Sequence, residues 1–494
     1  MSGNPILDPT LQEILQVIKP SRADWDTRIR VIDQLRDILQ SVECLRGATL
    51  QPFGSFVSNL FTRWGDLDLS VDLFSGSSIL FTGKKQKQTL LGHLLRALRA
   101  NGGWYKLQFV IHARVPILKV VSGHQRISCD ISIDNLEGLL KSRFLFWISE
   151  IDGRFRDLVL LVKEWAKAHN INDSKCGTFN SYSLSLLVIF HLQTCVPAIL
   201  PPLRVLYPRS AVDDLTGVRK TAEESIMQVS AANIARFKSG TAKSVNRSSL
   251  SELLVSFFAK FSDINVKAQE LGVCPFTGRW ENISSNTRWL PKTYSLYVED
   301  PFEQPQNAAR SVSRRNLDRI AQVFQMTCRR LASDCNRNSI IAVLTAPHIQ
   351  QSLYSTTNAA QHHANGMHNP RNLHGQSRPW NQQIQQNWSQ SNNTQNPPHW
   401  PAPPRSRPQQ NWAHNNPRNL QWQQPVQGQS WPAMTQTQTQ QKSQYKNGMR
   451  PMKNTSAGSS QNQVHIGKPP GQMNGMNSVR PNQGGHMWRP RSEQ

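Results

Sequence analysis

The chain of 494 residues has few acidic residues, no closely paired cysteines and no unbroken apolar segment of membrane-spanning length. Asp and Glu number 32 against 56 Lys and Arg, and this basic excess favours a polyanionic partner, either nucleic acid or an anionic membrane surface. The seven cysteines are scattered and never spaced as Cys-x-x-Cys. That spacing excludes a disulfide framework and a zinc finger, and it is typical of a reducing compartment.

The N-terminus and the most apolar run argue against secretion and membrane insertion. The first residues, MSGNPILDPTLQEILQV, lack a basic region followed by an apolar core. The run 183–200 is interrupted by His191, Gln193 and Pro197, which predicts a buried helix rather than a membrane span. We therefore expect a soluble intracellular protein with no membrane partner, and the scattered basic residues leave cytoplasm and nucleus both open.

Acidic residues almost disappear from the last part of the chain. From Thr345 to the end there are 13 Lys and Arg and a single acid, Glu493, in a sequence dominated by Gln, Asn, Pro, Ser and His. Because apolar periodicity is absent, residues 346–494 are predicted to form a disordered tail. Half of the 14 tryptophans nevertheless lie in it: Trp380, Trp388, Trp400, Trp412, Trp422, Trp431 and Trp488.

The preceding residues have the patterns of an α+β protein. DWDTRIRVIDQLRDILQSV carries apolar residues at helical spacing, and a second helix is expected around 90–100. VPILKVV and RISCDISID, separated by a Ser-Gly-His turn, predict a β-hairpin. From Phe144 to about Ala346 the helical period dominates. We expect a small mixed sheet with helices, followed by a mainly helical domain.

The segment GSFVSNLFTRWGDLDLSVDL, residues 54–73, places acids at alternate positions of a predicted strand. Asp66, Asp68 and Asp72 would share one face, with apolar residues on the other. Asp66 and Asp68 would lie about 7 Å apart, a separation that divalent cations can bridge. A third carboxylate from a neighbouring strand, Asp130 or Asp134, would complete a site for two hard cations.

Two cations about 4 Å apart can activate an attacking hydroxyl and stabilise a leaving pyrophosphate. The Gly54-Ser55 turn fits that chemistry because glycine permits close backbone approach and the following helix offers free amides to a phosphate. The alternative is that the acids form only the solvated outer face of an edge strand. The ordered combination of turn, helix and two acidic strands favours the metal site.

Phe53-Gly54-Ser55, Asp66-Leu67-Asp68 and Asp130 together resemble the DNA polymerase β-type nucleotidyltransferase superfamily. LVLLVKEWAKAHNIND, GTFNSYSLSLLVIFHLQ and VEDPFEQPQNAARSV are similar to segments of noncanonical poly(A) and poly(U) polymerases, most closely the plant small-RNA terminal uridylyltransferases. The resemblance covers roughly residues 10–345. It implies N-terminal helices at 1–43 that pack on the helical domain, a nucleotidyltransferase domain at 44–140 and a helical poly(A)-polymerase-associated domain at 141–345.

The resemblance also selects the site residues. It implies that Asp66, Asp68 and Asp130 hold two Mg²⁺ or Mn²⁺ ions and that Asp130 helps to deprotonate the RNA 3′ hydroxyl. The remaining nucleotide-binding residues that it implies are Phe53, Gly54, Ser55, Lys163, Lys167, Ser181, Tyr182, Asp300, Glu303 and Gln306.

The implied roles divide along the nucleotide. Ser55, Ser181 and the two lysines, Lys163 and Lys167, would contact phosphates. Tyr182 would stack on the base that Asp300 and Glu303 recognise. Taken singly, each has an ordinary alternative: solvated lysines, a core tyrosine and surface acids.

Two positions depart from the family pattern. Gln306 stands where uridylyltransferases have a histidine that discriminates uracil from adenine, and glutamine can hydrogen-bond either base. Lys141-Ser142 stand where the family often has an Asn-Thr pair that holds the ribose.

The implied function is a terminal uridylyltransferase that adds UMP from UTP to RNA 3′ ends. The expected substrates are RNA fragments and small RNAs that lack a 3′-terminal 2′-O-methyl group, which the added uridines mark for decay. One alternative is a noncanonical poly(A) polymerase that uses ATP. Another is a catalytically silent RNA–protein scaffold, which loss of a matched aspartate would indicate. The tail tryptophans resemble segments that dock into Argonaute, although the usual adjoining glycine is missing.

Overall fold

A computed structural model describes residues 5–73, 79, 82–240, 245–289, 293–333 and 336–354 of the protein. Within these residues helices α1–α13 span Leu7–Ile18, Arg22–Ser41, Gly54–Val57, Lys84–Asn101, Leu136–Ser149, Gly153–Ala168, Ser181–Gln193, Leu203–Leu206, Arg219–Ser239, Leu250–Lys260, Ile264–Lys267, Arg314–Ser333 and Arg337–Leu344. Strands β1–β7 span Thr49–Phe53, Leu67–Asp72, Trp104–Val110, Ile117–Ser122, Ser128–Ile133, Leu271–Cys274 and Arg279–Asn282.

Five strands form one mixed sheet in the order β1-β2-β5-β4-β3. The β2–β5 pair is parallel and the other three pairs are antiparallel, so the predicted β4–β5 hairpin is confirmed. The acidic strand β2 lies between β1 and β5 rather than at an edge. The interpretation of its acids as the solvated face of an edge strand is therefore wrong.

The apolar face of the sheet packs against α2 and α4. Leu67, Leu69 and Val71 alternate with the acids along β2, and all three are fully buried. They join buried residues from α2 (Val31, Leu35, Leu39), α4 (Leu91, Leu94, Leu98) and the neighbouring strands (Leu118, Val120, Ile131) in one cluster. Because one face of each strand is committed to this core, the acids must emerge on the other face.

A second, larger core holds the helical part of the chain together. Helix α7 is buried on every side because it lies at the centre of the bundle, where α6 and α10 contact it. The two N-terminal helices were predicted to pack together on this helical domain, but they divide. Helix α1 joins the helical core through Leu11 and Ile14, whereas α2 joins the sheet through Val31 and Leu35.

Two further features differ from expectation. The strands β6 and β7 form a small antiparallel pair inside the region predicted to be helical. Residues 347–354 are helical and bury Ile349 and Leu353, so the ordered chain extends past the predicted start of the tail at 346. The rest of the predicted tail, 355–494, lies outside the described residues.

No helix among the described residues is long and apolar enough to cross a membrane, and the six described cysteines are unpaired.

Candidate active site

One row of residues crosses the mixed sheet beside the turn at Gly54. Cα pairing runs from Phe53 on β1 to Asp68 on β2, then to Asp130 on β5, and finally to Lys119 on β4. Directly paired residues project from the same face of a sheet, so their side chains are neighbours. Asp68 and Asp130, 62 positions apart in the chain, therefore stand side by side.

The three predicted catalytic acids influence one another electrostatically. Asp66 immediately precedes β2 and reaches solvent, whereas Asp68 is partly buried. Partial desolvation and the neighbouring Asp130 carboxylate raise the pKa of Asp66. Burial, Asp130 and Asp66 raise the pKa of Asp68 to about 7. Carboxylates held this close together are unfavourable unless positive charge is added between them.

Lys119 supplies part of that positive charge. Its ammonium contacts Oδ2 of Asp130, and its charge lowers the pKa values of both Asp66 and Asp68. The second oxygen of Asp130, Oδ1, is buried without a hydrogen-bond partner. As the side chains stand, no three His, Cys, Asp or Glu residues in the described part of the chain form a ready metal cluster. Even so, repelling carboxylates with one unsatisfied buried oxygen are the hard ligands that Mg²⁺ and Mn²⁺ prefer.

Gly54 closes the site against the neighbouring strand. It has a positive φ of 67°, and a Cβ built on it would lie 2.0 Å from Oδ2 of Asp68. Its backbone N–H donates to Oγ of Ser142 on α5 at 2.6 Å. Only glycine allows the backbone to approach the carboxylate this closely, and Ser55 follows it at the start of α3. The hydroxyl of Ser142 thus holds the turn rather than projecting freely toward a ribose.

The two predicted phosphate-binding lysines face the acids, but both ammonium groups are already engaged. Lys163 is buried and donates to the carbonyl oxygen of Leu60 at 2.8 Å, while Lys167 pairs with Glu164 at 3.0 Å. Burial and the charge of Lys167 lower the pKa of Lys163 to about 8. Lys163 in turn lowers the pKa of Asp68. Their contact with a triphosphate stays a prediction.

The predicted base-recognition residues meet at one carboxylate. The Tyr182 hydroxyl donates to Oδ1 of Asp300 at 2.9 Å. Lys141 donates to Oδ2 of Asp300 at 2.7 Å and to Oε2 of Glu303 at 2.6 Å. The Arg114 guanidinium, from the β3–β4 loop, also pairs with Glu303. Two cations therefore neutralise two acids in this cluster. Recognition of a base by these residues stays a prediction.

Sequence reasoning did not find Lys119 and Arg114, and it assigned Lys141 to the ribose. The signal for Lys119 was available, because its strand VPILKVV was predicted to pair with the strand of Asp130. Arg114 and Lys141 gave no such signal, because Glu303 and Asp300 lie more than 150 positions away from them along the chain.

The remaining acids and polar residues lie apart from the catalytic row. Asp72 is buried and pairs with Arg219 of α9 at 2.8 Å, so it anchors a helix. Asp134 accepts from the backbone N–H of Leu73 and holds a turn. The Ser181 hydroxyl lies 3.2 Å from the Asn172 amide. Gln306 closes the loop of residues 300–306, which we call the base loop. Its backbone N–H donates to the carbonyl oxygen of Glu303, and its carbonyl oxygen accepts from the backbone N–H of Asp300.

The site combines acids on adjacent parallel strands with a glycine turn pressed against one of them. A helical domain carries a second charged cluster. Together these features define a polymerase β-type nucleotidyltransferase. Residues 7–150 match the family described as the central palm domain of mitochondrial-like poly(A) RNA polymerase. Protein HESO1 of Arabidopsis thaliana is 83% identical over 511 aligned positions that cover 100% of both chains. The chain therefore belongs to the HESO1 family of noncanonical nucleotidyltransferases.

More distant relatives share the fold and the covered region. Terminal uridylyltransferase cid1 of Schizosaccharomyces pombe is 28% identical, over 65% of this chain and 78% of the relative. A crystal structure of a mutant of the Cid1 poly(U) polymerase bound to MgATP superposes with a TM-score of 0.55 at 26% identity, covering 70% of this chain and 100% of that one. Poly(A) RNA polymerase GLD2 of Homo sapiens is 28% identical over 59% of this chain and 58% of that protein.

Proposed function

We propose that the protein is a terminal uridylyltransferase that transfers UMP from UTP to the 3′ hydroxyl of RNA. The observation that carries the proposal is the row in which Asp68 and Asp130 stand side by side next to Gly54, with Oδ1 of Asp130 buried and unpartnered. Membership of the HESO1 family and similarity to a named terminal uridylyltransferase support it.

Asp66, Asp68 and Asp130 would hold two Mg²⁺ or Mn²⁺ ions. When bound, the ions would supply Lewis-acid activation of the RNA hydroxyl and stabilisation of the leaving pyrophosphate. Asp130 would accept the hydroxyl proton at its free Oδ1, while Lys119 holds Oδ2. Lys119 also favours the ionised, ligating forms of Asp66 and Asp68, whose pKa values it lowers. Gly54 leaves room beside Asp68 that any side chain would fill.

The base pocket would be formed by Tyr182, Asp300 and Glu303. The carboxylates, fixed by Lys141 and Arg114, would accept the N3–H of uracil, and the partly buried Gln306 could donate to a uracil carbonyl. The same glutamine could also serve adenine, and relatives of similar identity are named poly(A) polymerases. A poly(A) polymerase using ATP is therefore the second candidate.

Primer extension separates these candidates. A 5′-labelled small RNA would be incubated with Mg²⁺ or Mn²⁺ and each nucleoside triphosphate singly, using the wild-type protein and Asp66→Ala. We expect extension with UTP and none in the variant. Extension chiefly with ATP would move the assignment to poly(A) polymerase. The absence of extension with every nucleotide on several RNAs would favour the scaffold.

We further propose that the preferred substrates are RNA fragments and small RNAs with a free 2′ hydroxyl, and that tailing marks them for decay. A 2′-O-methyl group beside the attacking hydroxyl would crowd the carboxylates of Asp66, Asp68 and Asp130, which we call the carboxylate row. The same RNA with and without the terminal methyl tests this, and equal extension of both would contradict it.

Argonaute docking through the tail and residence in the cytoplasm or nucleus are also proposals. The first rests on the spaced tail tryptophans and the second on the scattered cysteines. Pull-down of Argonaute by the full chain and by a chain ending at residue 354 tests the docking, with equal recovery as the contradicting outcome.

A further inference from the structure

Helix α12, Arg314–Ser333, carries a basic face that the nucleotidyltransfer reaction does not use. One side of the helix packs on the helical core through Leu317, Ile320, Ala321, Phe324, Thr327 and Leu331. At 100° per residue, the opposite sector of about 100° contains Ser333 and six further exposed residues, and we call those six the arginine stripe. They are Arg315, Arg319, Gln322, Met326, Arg329 and Arg330.

The second feature of the arginine stripe is its positive charge. Among the described residues, no carboxylate forms an ion pair with any of its four arginines. The acid beside the stripe, Asp318, accepts instead from the Asn265 amide at 2.8 Å. One N–H of Arg319 donates to the carbonyl oxygen of His169. Burial, followed by Arg330 and Arg319, lowers the pKa of the His169 imidazole, as expected beside uncompensated cations.

Helix stability accounts for only one end of the arginine stripe. Arg329 and Arg330 near the C-terminus interact favourably with the helix dipole. Arg314 and Arg315 occupy the first turn, where cations oppose the dipole, and the first turn contains no acid. A helix optimised for stability alone would place acids there. The arginines at the N-terminal end therefore require another explanation.

The N-terminal end of the stripe adjoins the nucleotide-binding part of the helical domain. The base loop that carries Asp300 and Glu303 continues through 310–313 directly into α12. The backbone N–H of Ser313 donates to the carbonyl oxygen of Gly177 at 3.0 Å, and the Gly177 segment leads into α7, which begins at Ser181. From this end the stripe runs along the helix for about 22 Å.

We propose that the arginine stripe binds the phosphate backbone of the RNA substrate upstream of its 3′ end. The inference rests on the proposed function, because it takes RNA as the substrate. Arginine forks match phosphate bidentately, and cations at both ends of a helix face about 22 Å long suit an extended ligand that carries repeated negative charge. An acidic protein would also satisfy the charge, but protein interfaces draw most of their affinity from buried aromatic and apolar anchors. The stripe offers only Met326.

RNA length provides the test. The full-length protein would be compared with a triple variant, Arg315→Gln, Arg329→Gln and Arg330→Gln; Arg319 is kept because it holds the His169 carbonyl. The control removes the same charge from exposed arginines elsewhere: Arg46→Gln, Arg99→Gln and Arg279→Gln. UTP extension would be measured on a 21-nucleotide and a 4-nucleotide RNA, with binding of the longer RNA measured across KCl concentrations.

We expect the triple variant to raise KM for the longer RNA roughly tenfold, with kcat and KM for the short RNA unchanged. The slope of log Kd against log salt should fall by about 2, because each lost phosphate contact removes about 0.7. Unchanged Kd, an equal loss on the short RNA, or an equal loss in the control variant would overturn the proposal. If the wild type extends neither RNA, the proposed function fails, and the binding measurements still decide the role of the stripe.

Discussion

Lys119 on β4 lies directly opposite Asp130 on β5, and its ammonium contacts one oxygen of that carboxylate. In the described structure, Lys119 is thus the one cation that forms an ion pair with Asp66, Asp68 or Asp130. Its charge lowers the pKa values of Asp66 and Asp68, while burial and the other carboxylates raise them. The pKa values of Asp66 and Asp68 therefore depend on opposing effects, and a single substitution can shift them.

Cation binding should weaken as the pH falls below 7. The pKa of Asp68 is raised to about 7, so below that pH its carboxyl is protonated and a cation must displace the proton. Displacing one proton costs about tenfold in apparent affinity per pH unit. Titrating Mn²⁺ by calorimetry from pH 6 to 8.5 measures this. Affinity that is independent of pH over that range would contradict it.

Removing the Lys119 charge should shift the pH dependence of activity to higher pH. Lys119→Met takes away a charge that lowers the pKa values of Asp66 and Asp68, so both carboxyls stay protonated to higher pH. Activity should then fall more at pH 7 than at pH 8.5, while Lys119→Arg should retain the wild-type profile. The pH profiles of UTP extension for the three proteins provide the measurement. A parallel loss at both pH values would show that Lys119 only supports the sheet.

Gly54→Ala should abolish activity through a clash with Asp68. Gly54 and Gly47 both have positive φ, but only at Gly54 would a Cβ meet another atom within 4 Å. Both alanine variants should lose about 1 kcal/mol of unfolding free energy from backbone strain. Only Gly54→Ala should lose activity, by 100-fold or more, because the displaced Asp68 leaves its place beside Asp130. Equal activity in the two variants would refute the close approach.

Asp66→Asn and Asp72→Asn should separate catalysis from stability, although the two acids lie six positions apart. Asp66 reaches solvent, so its neutral replacement should leave unfolding almost unchanged and reduce activity at least 100-fold. Asp72 forms a buried ion pair with Arg219, and breaking it should cost about 3 kcal/mol. Urea unfolding together with UTP extension distinguishes the two. Loss of activity in Asp72→Asn at a temperature where it is folded would place Asp72 in the site.

His191 should make the fold sensitive to acid. Burial and Lys260 lower the pKa of its imidazole to about 3, so the native protein keeps it neutral while the unfolded chain protonates it near pH 6.5. Its contribution to stability is complete above pH 6.5 and is lost as the pH falls toward 3. Between pH 7.5 and 5 the wild type should therefore lose about 2 kcal/mol more than His191→Gln. Equal losses in urea unfolding would show that His191 is not buried as a neutral group.

Local sequence patterns predicted the central strands of the mixed sheet well. The alternation around Asp68 and Asp130 has period 2 and is visible in short segments, so both strands and the β4–β5 hairpin were predictable. Strand β3 was not predicted; it is an edge strand with no fully buried residue, and a bulge between Tyr105 and Gln108 breaks its register. The four-residue strands β6 and β7 are too short to interrupt a helical pattern.

Contacts between distant segments were beyond local patterns. The sequence assigned no role to Asp72, because its partner, Arg219, lies 147 positions away. The resemblance placed Lys163 beside phosphates, and the structure adds a contact with the Leu60 carbonyl that the sequence did not reveal. In each case a charged side chain is fixed by a tertiary partner that no periodicity reveals. The roles of isolated charged residues therefore had to come from the structure.

The carboxylate row and the base pocket belong to different packing units. Asp68 and Asp130 are held by the sheet and its own core, whereas Asp300 is held by Tyr182 on α7 and Lys141 on α5. Under the proposed function, nucleotidyl transfer and the choice of nucleotide would therefore depend on different parts of the fold. Substitutions around Asp300 would then change nucleotide choice without moving Asp68 or Asp130. Such a division would suit a fold whose relatives are named both as a terminal uridylyltransferase and as a poly(A) RNA polymerase.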